Sequence, residues 1–385
     1  MAQISPPPAV AVPAPSLAQA VEAAWQRAVA SQEARGQEQI AVARQNAASS
    51  WTPKAPSAEA ARRNGRFGAS ETEVGISVPL WLPGQRSALQ TAATADLGVA
   101  QAAQRTARWR ISGEVREAAW ALTALGAELA AAREQLSLLQ SLSADVDRRV
   151  RAGDLARADA LVARAEALNA ETAMNDLQQR AASAAAQWEA LTGLAVVGDP
   201  SEPATVVTAP DHPELALARR EVERAQASLD SHRRSRRDSP EVAVSWKQER
   251  PGDQQARQDS VGIALRVPFG ADAERSPQEA VALAAVETAR IHSERLAERL
   301  ALELRTARQA VVSAEQQLAG AQARSELLQE RAQLLDKSFR AGETALPDLL
   351  RALEVNSQAV GALARQRAAL GLARARLQQS LGVTP

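Results

Sequence analysis

The sequence of 385 residues contains no cysteine and no tyrosine, and aromatic residues make up only 3% of it. Without cysteine the chain can form no disulfide framework and no thiolate metal site, and it offers no cysteine as a lipid acceptor. The aromatic content is also thin for one large globular core. The composition, rich in Ala, Leu, Glu, Arg and Gln, is instead typical of a protein built from long helices.

The chain also lacks net charge and long hydrophobic runs. Lys plus Arg and Asp plus Glu are balanced at 45 each, so no strongly basic field is available for a nucleic-acid partner. No run of about 18 apolar residues occurs, which predicts that no transmembrane helix is present. The first residues are apolar and Pro-rich but carry no basic region, so they do not read as a signal peptide. A cytoplasmic location and a removed or missed leader both stay open.

Motifs for catalysis and for cofactor binding are missing as well. The sequence has no G-x-G-x-x-G, P-loop, G-x-S-x-G or H-E-x-x-H motif and no cysteine nucleophile. His212, His232 and His292 are scattered without metal-ligand spacing, and Met1 and Met174 are too few for a thioether relay for Cu(I). We therefore predict no enzyme activity, no cofactor and no bound metal.

One nine-residue segment occurs twice. RAGDLARAD begins at Arg151 and RAGETALPD begins at Arg340, and each interrupts a helical pattern. The offset between their glycines, Gly153 and Gly342, is 342 − 153 = 189. Glycine supplies the left-handed conformation that ends a helix, so each copy predicts a tight turn between antiparallel helices.

Each glycine is followed within six residues by polar side chains that can interact with the start of the next helix. We expect Asp154 and Thr344 to cap the returning helices. Asp159 and Asp348 fall in the first helical turn, where a negative charge is favourable. Arg351 stands three residues after Asp348, a spacing that allows an ion pair.

The order of elements is also duplicated around these turns. Each half predicts a helix, a pair of strands, a long helix, the glycine turn and a return helix with a narrow apolar seam, as in coiled coils. Helices are expected at 16–48, 86–151, 158–191, 213–237, 277–339 and 346–381. The chain divides into a Pro-rich arm (1–15), a first structural repeat (16–198), a linker (199–212) and a second structural repeat (213–385).

Apolar residues alternate with small or polar ones in two segments, which predicts strands with one apolar face. These apolar residues are Val74, Ile76, Val78, Leu80, Leu82, Val261, Ile263, Leu265, Val267 and Phe269. A third strand is expected at 242–247, and residues 51–66 are a weak candidate for a fourth. Four strands cannot close a membrane barrel, which needs about eight. Alternation alone leaves open a lipid-facing sheet completed by other copies and a half-buried sheet in a soluble protein.

The duplicated pattern resembles the TolC-type outer-membrane factors of Gram-negative efflux and secretion systems, over about residues 16–385. Its marks are the two RAG turns with an aspartate six residues after each glycine, and the strands VGISVPL and VGIALRVPF. The LPGQR segment after the first strand resembles the branch that serves heavy-metal RND pumps. The resemblance implies a mainly α protein with a small β part, in which three chains of four strands form one 12-stranded outer-membrane β-barrel. The helices would form a periplasmic coiled-coil tunnel, roughly 100 Å long at 1.5 Å per residue.

The resemblance also implies roles for the turns and strands. The turns would lie at the periplasmic tip, where the tunnel closes and periplasmic adaptors dock. Adaptor docking is implied at Arg151, Gly153, Asp154, Asp159, Arg340 and Gly342. Asp348 occupies the first position of an acidic ring found in many members, whereas Arg351 and Thr344 depart from the residues expected at a pore gate. The apolar strand residues Val74, Ile76, Val78, Leu80, Val261, Ile263, Leu265 and Val267 would face lipid.

The function implied is a passive exit duct of a tripartite RND-type efflux system. Its partners would be two further copies, a periplasmic adaptor, an inner-membrane RND pump and outer-membrane lipid, and its substrates small solutes that include divalent heavy-metal ions. Two alternatives stay open: a periplasmic or soluble coiled-coil adaptor or scaffold, and the outer-membrane channel of a type I protein secretion system. The strands distinguish the first alternative, because a scaffold has no use for alternating apolar strands.

Overall fold

A computed structural model describes residues 14–66, 69–203, 212–235, 237–252, 256–269 and 272–385, with side chains from 277 in the last range. Residues 1–13 of the predicted arm and residues 204–211 of the predicted linker lie outside the described residues. The elements, in chain order, are α1 (Leu17–Arg27), α2 (Val29–Ala48), β1 (Ser57–Asn64), β2 (Ser70–Pro79), α3 (Gln85–Ala152), α4 (Arg157–Thr192), α5 (Pro213–Arg234), β3 (Glu241–Arg250), β4 (Gln258–Arg266), α6 (Asp272–Arg340) and α7 (Leu346–Ser380). The mainly α fold with a small β part is confirmed.

The helix predicted at 16–48 is in fact two helices. Ser16 caps α1, because its hydroxyl accepts the Gln19 N–H while the Gln19 side chain accepts the Ser16 N–H. The helix then breaks at Ala28, whose backbone is extended (φ −68°, ψ 136°). The buried Ser31 stabilises the break, since its N–H and hydroxyl both donate to the Ala28 carbonyl, at 3.1 and 2.9 Å.

Two other predicted boundaries shift. Helix α6 begins at Asp272, so Pro277 lies inside the helix rather than at its start. Helix α5 ends at Arg234, three residues before the predicted end at Arg237. Within the described residues, none of the helices combines the length and apolar character that crossing a bilayer requires.

The four strands form one antiparallel sheet in the order β1-β2-β3-β4, with β1 and β4 at its edges. The weakly predicted first strand does form. It pairs with β2 over its whole length, from Ser57 opposite Ser77 to Asn64 opposite Ser70. Because β2 precedes and β3 follows the linker, the sheet joins strands from both sequence repeats.

The chain divides into two compact units, and each contains segments of both sequence repeats. Unit 1 comprises the described parts of 1–31, 107–212 and 299–385, and unit 2 comprises those of 32–106 and 213–298. Unit 2 contains the sheet. Unit 1 contains both glycine turns and a buried apolar cluster, which we name the turn cluster: Leu139, Val146, Ala160, Ala163, Ala332, Phe339, Leu346, Leu349, Leu350 and Leu353.

A buried arginine joins three segments of unit 1. Arg116 on α3 has a side chain only 2% exposed, and its Nε and Nη2 donate to the two carboxylate oxygens of Glu202 at 2.7 and 2.8 Å. Its Nη1 donates to Gln379 Oε1 on α7, and its Nη2 also donates to the Val383 carbonyl at 3.1 Å. The segment before the undescribed linker residues and the end of α7 are therefore both held to α3.

Candidate functional site: the helix turns and the apolar sheet face

The first glycine turn ends α3 with a Schellman motif. Gly153 has φ +90°, and its N–H donates to the Val150 carbonyl at 3.1 Å. The next N–H, of Asp154, donates to the Arg149 carbonyl at 2.9 Å. This pair of bonds satisfies carbonyls that the helix end would otherwise leave unpaired.

The second turn repeats the same bonds at the corresponding positions. Gly342 has φ +80° and donates to the Phe339 carbonyl at 3.0 Å, and the Glu343 N–H donates to the Ser338 carbonyl at 3.0 Å. Apart from the glycine itself and its two chain neighbours, no heavy atom of the described residues lies within 4 Å of the position that a Cβ would take at Gly342 or at Gly153. The left-handed backbone, rather than lack of space, is therefore what requires glycine at both turns.

The predicted caps Asp154 and Thr344 are wrong, because the helices start later. The N-cap residues are Ala156 and Ala345, and neither has a side chain that can accept a hydrogen bond. The N–H of the residue after each glycine, Asp154 or Glu343, closes the Schellman motif, and the returning helix begins further along the chain. The Thr344 hydroxyl is hydrogen-bonded to the Ser338 hydroxyl instead.

Asp159 takes the capping role at the first turn. Its carboxylate accepts the Ala156 N–H at 3.3 Å and stands in the first turn of α4. Asp348 occupies the corresponding place on α7, since 348 − 159 is again 189, and it is exposed. Arg351 is exposed too, and the two side chains, both within the described part of the chain, form no ion pair with each other. The spacing allowed that pair, but the structure does not contain it.

The two arginines of the RAG segments differ in their surroundings. Arg340 forms an ion pair with Asp336 one turn earlier, with 2.9 Å between Nη2 and Oδ2. Arg151 is exposed on the last turn of α3. Both lie where a cation is favourable for the C-terminal end of the helix dipole.

Arg149, which sequence patterns did not single out, connects the ends of α3 and α6. Its Nη1 donates to the Phe339 carbonyl at 3.3 Å and its Nη2 to the Arg340 carbonyl at 3.5 Å, while its guanidinium lies 5.1 Å from the centroid of the Phe339 ring. Arg149 also forms an ion pair with Asp145 on its own helix, with 3.2 Å between Arg149 Nε and Asp145 Oδ2. The corresponding residue of the second repeat is Ser338 (149 + 189), so the two turns are chemically unequal.

A groove of about 470 Å³ opens beside this contact, between α3, α6 and α7. Its lining mixes apolar side chains with carboxylates and guanidinium groups of both long helices, including Leu142, Asp145, Arg149, Asp336, Phe339 and Leu353. Among the side chains that the structure describes, no group of three or more His, Asp or Glu is placed to hold a metal ion.

In unit 2, one face of the sheet carries an apolar band, which ends at a polar row formed by Thr72, Gln248 and Asp259. Cross-strand partners on β2, β3 and β4 form three rows: Val74, Trp246 and Val261; Ile76, Val244 and Ile263; Val78, Val242 and Leu265. Ala58 and Ala60 continue two of these rows on β1. Most of these large side chains are exposed, Ile263 to 80%. Leu80 and Val267 are exposed as well, just beyond the ends of β2 and β4.

The opposite face carries small and polar residues. Its rows are Ser77, Ala243 and Ala264; Gly75, Ser245 and Gly262; Glu73, Lys247 and Ser260; Glu71, Glu249 and Gln258. Lys247 lies 3.3 Å from Glu71 and 3.5 Å from Glu249, between their carboxylates. A sheet that is apolar on one face and polar on the other is typical of membrane barrels, in which the apolar face meets lipid.

No protein-family model matches the chain, and no curated protein matches it either. Solved structures do. The outer membrane protein VceC of Vibrio cholerae superposes with a TM-score of 0.78 at 16% identity, covering 95% of this chain and 96% of that one. The CmeC outer membrane channel of Campylobacter jejuni gives 0.76 at 14% identity, covering 95% and 85%. CusC, whose crystal structures concern the conformational changes that accompany folding and transmembrane channel formation, gives 0.76 at 15% identity, covering 95% and 92%.

At these identities the similarity is one of fold. It extends over 95% of this chain and over most of each neighbour. The chain thus has the fold of the TolC-type outer-membrane channels, as the duplicated sequence pattern implied.

Proposed function

We propose that this protein is an outer-membrane exit duct that conducts small solutes passively. The observation that carries the proposal is the apolar sheet face, whose three rows are largely exposed and are bounded by strands with outer edges unpaired in the described chain. In water such a face and such edges favour aggregation. In lipid the apolar face is favourable, but open edges are not tolerated.

Pairing β4 of one copy with β1 of the next removes both edges when the ring closes. Three copies of four strands give twelve strands, within the range of outer-membrane barrels. Closed cyclic symmetry also suits the unlike edges, because a head-to-tail contact can close into a ring. Val74, Ile76, Val78, Leu80, Val261, Ile263, Leu265 and Val267 then face lipid.

The turns form the periplasmic tip in this proposal. Asp348 is exposed on the first turn of α7, so three copies place three carboxylates around the constricted end, where they attract cations. Arg351, one turn further along the same helix, weakens that ring, and Thr344 leaves the turn without a basic residue at its position. The rest of the turn surface, with Arg151, Gly153, Asp154, Asp159, Arg340 and Gly342, docks a periplasmic adaptor.

In this proposal the duct belongs to an RND-type tripartite system and lies in a Gram-negative outer membrane. The lack of any nucleotide-binding motif supports a passive duct driven by an inner-membrane pump. The LPGQR segment after β2 supports the heavy-metal branch, with divalent metal ions among the exported solutes. We propose no catalytic residues for this protein.

The decisive experiment is purification from membranes in detergent, followed by native mass spectrometry and planar-bilayer recording. We expect a trimer of 40.8-kDa chains that forms stable conducting channels. A stable monomer that needs no detergent would contradict the barrel. A trimer that inserts but never conducts, even with the Asp348→Ala change, would contradict the duct while leaving the membrane location intact.

A further inference from the structure

Two apolar seams near the turns have no partner within the described part of the chain. On α4, Leu161 and Leu168 are 61% and 63% exposed, one heptad apart. On α6, Leu327 and Leu334 are 68% and 58% exposed, also one heptad apart. Apolar residues at heptad spacing that stay in water are costly, and they are typical of a helix that packs against a second helix.

The α4 seam is distinct from the face that α4 uses inside the chain. Ala160 and Ala163 belong to the turn cluster and are buried, to 8% and 1% exposure. Leu161, Ala165, Leu168 and Thr172, at the 4-3-4 spacing of a coiled-coil seam, are all exposed. Helix α4 therefore has a second packing face that the described chain leaves open.

The α6 seam borders a groove of about 460 Å³. Leu327, Glu330, Arg331, Leu334 and Leu335 line it, and all five belong to α6. Ala323 continues the seam by one step and is exposed. The groove is thus an unfilled surface of one helix rather than a cavity between helices.

The two seams lie at similar heights above the turns. Leu161 follows Gly153 by the same interval in the chain by which Leu334 precedes Gly342 (161 − 153 = 342 − 334). Leu168 and Leu327 are related to the two glycines in the same way (168 − 153 = 342 − 327).

The turns themselves lie at nearly the same level. The contact of Arg149 with Phe339 places the ends of α3 and α6 side by side, so the intervals on α4 and α6 start close together. Helix α4 leaves its turn and α6 enters its own, so the seams run antiparallel, offset by no more than about one helical turn of 5.4 Å.

Beyond the leucines, one pair of opposite charges stands at the same height. Glu171 follows Gly153 by the interval by which Arg324 precedes Gly342 (171 − 153 = 342 − 324). Both side chains are exposed, and neither forms an ion pair within the described residues. Closer to the turns, Arg157 and Lys337 carry the same charge. Between the leucines, Arg164 and Arg331 stand at one height with like charge (164 − 153 = 342 − 331), although Arg164 is paired with Asp147 at 2.8 Å. Charge therefore favours contact between the helices beyond the leucines and disfavours it towards the turns.

We propose that the α4 seam of one copy packs against the α6 seam of the next copy, as Leu161 with Leu334, Leu168 with Leu327, and Glu171 with Arg324. The inference rests on the proposed trimeric duct and specifies which helix faces hold its tip together. It is a head-to-tail contact between two different surfaces, which closes into a ring of three. Opposite charges at Glu171 and Arg324 fix the register.

The absence of cysteine makes cross-linking a direct test. We expect the double variants L161C/L334C and L168C/L327C, oxidised as detergent-solubilised trimers, to give covalent dimers and trimers on non-reducing gels. The mismatched control L161C/L327C is displaced by one heptad, about 10 Å, beyond the reach of a disulfide. It should give at least fivefold less product, and the single variants should give none.

The outcomes separate this inference from the duct itself. An intact trimer in which matched pairs link no better than mismatched ones, or only within one chain, overturns the seam pairing and leaves the duct standing. A protein that is monomeric in native mass spectrometry overturns both. Charge exchange gives a second readout that does not need cysteine: E171R and R324E should each lower the temperature at which the trimer dissociates, and the E171R/R324E double variant should restore it. A double variant no more stable than the single ones counts against the contact.

Discussion

Arg149 donates a hydrogen bond to the carbonyl of Phe339 and lies against its ring, 5.1 Å from the centroid. One side chain of the first repeat thereby caps the helix end of the second. The C-terminal carbonyls of α6 carry the negative end of the helix dipole, which a guanidinium stabilises. In the second repeat Ser338, too short for such a contact, takes the position that corresponds to Arg149. The turn that leads to Asp348 is thus tied to α3 through Arg149.

Replacing Arg149 with alanine should loosen the second turn. Loss of the two carbonyl contacts and of the cation over the ring should cost about 1 kcal/mol locally, about a fivefold change in an opening equilibrium. We expect amides 337–343 to exchange with deuterium about fivefold faster, as measured by mass spectrometry on the assembled protein. The control is Arg148→Ala, because Arg148 is exposed and pairs with Asp145 on its own helix. Equal exchange in both variants would show that Arg149 does not hold the turn.

Gly320, within α6, and Gly342, in the turn that follows α6, offer a matched pair of glycine-to-alanine substitutions. Apart from the adjoining backbone, no heavy atom of the described residues lies within 4 Å of the place where a Cβ would stand at either glycine, but of the two only Gly342 has a positive φ, +80°. Gly342→Ala should therefore destabilise by about 1–2 kcal/mol through backbone strain. Gly320→Ala, in the middle of α6, should stabilise by about 0.5–1 kcal/mol. Urea unfolding of the solubilised protein measures both, and a destabilising Gly320→Ala would contradict this account of the turns.

The elements that could be predicted from the sequence are those set by local pattern. The long helices follow from uninterrupted helical periodicity between glycine turns, and β2 and β4 follow from strict alternation. The break at Ala28 could not be predicted, because no glycine or proline stands there and the stabilising bonds come from the buried Ser31. On the face that it shares with the apolar band, strand β1 offers only Ala58 and Ala60 before Arg62 and Asn64, so its pairing with β2 decides its conformation.

The tertiary contacts of the candidate site were beyond sequence patterns for a different reason. Arg149 and Phe339 are far apart in the chain, and nothing local marks either as a partner of the other. The same holds for Gly371, where a Cβ would collide with the indole ring of Trp120 on α3. The glycine is needed for that close approach, although its helical context gives no turn signal. Charge spacing, conversely, suggested the ion pair of Asp348 with Arg351, which the structure does not form.

Removing the buried guanidinium of Arg116 should be strongly destabilising. Arg116→Met leaves the Glu202 carboxylate, itself only 12% exposed, without its bidentate partner. Breaking a buried ion pair from one side costs about 3–5 kcal/mol, so we expect a lower urea midpoint. The double variant with Glu202→Gln should recover a large part of the loss, because no uncompensated charge then remains. A double variant as unstable as Arg116→Met would place the cost in lost contacts to Gln379 and Val383 instead.

Asp348 and Asp159 occupy corresponding positions of the two repeats, so they test whether position in the duct or helix capping sets their role. Asp159 accepts a backbone hydrogen bond and should act as a cap, whereas Asp348 forms none with a backbone N–H among the described residues. In planar bilayers we expect Asp348→Asn to lower the preference for cations over anions and to raise single-channel conductance, because three like charges leave the constriction. Asp159→Asn should change neither, and Arg351→Ala should strengthen cation preference by unmasking the ring. Identical channel properties in the Asp348 and Asp159 variants would return Asp348 to an ordinary first-turn aspartate.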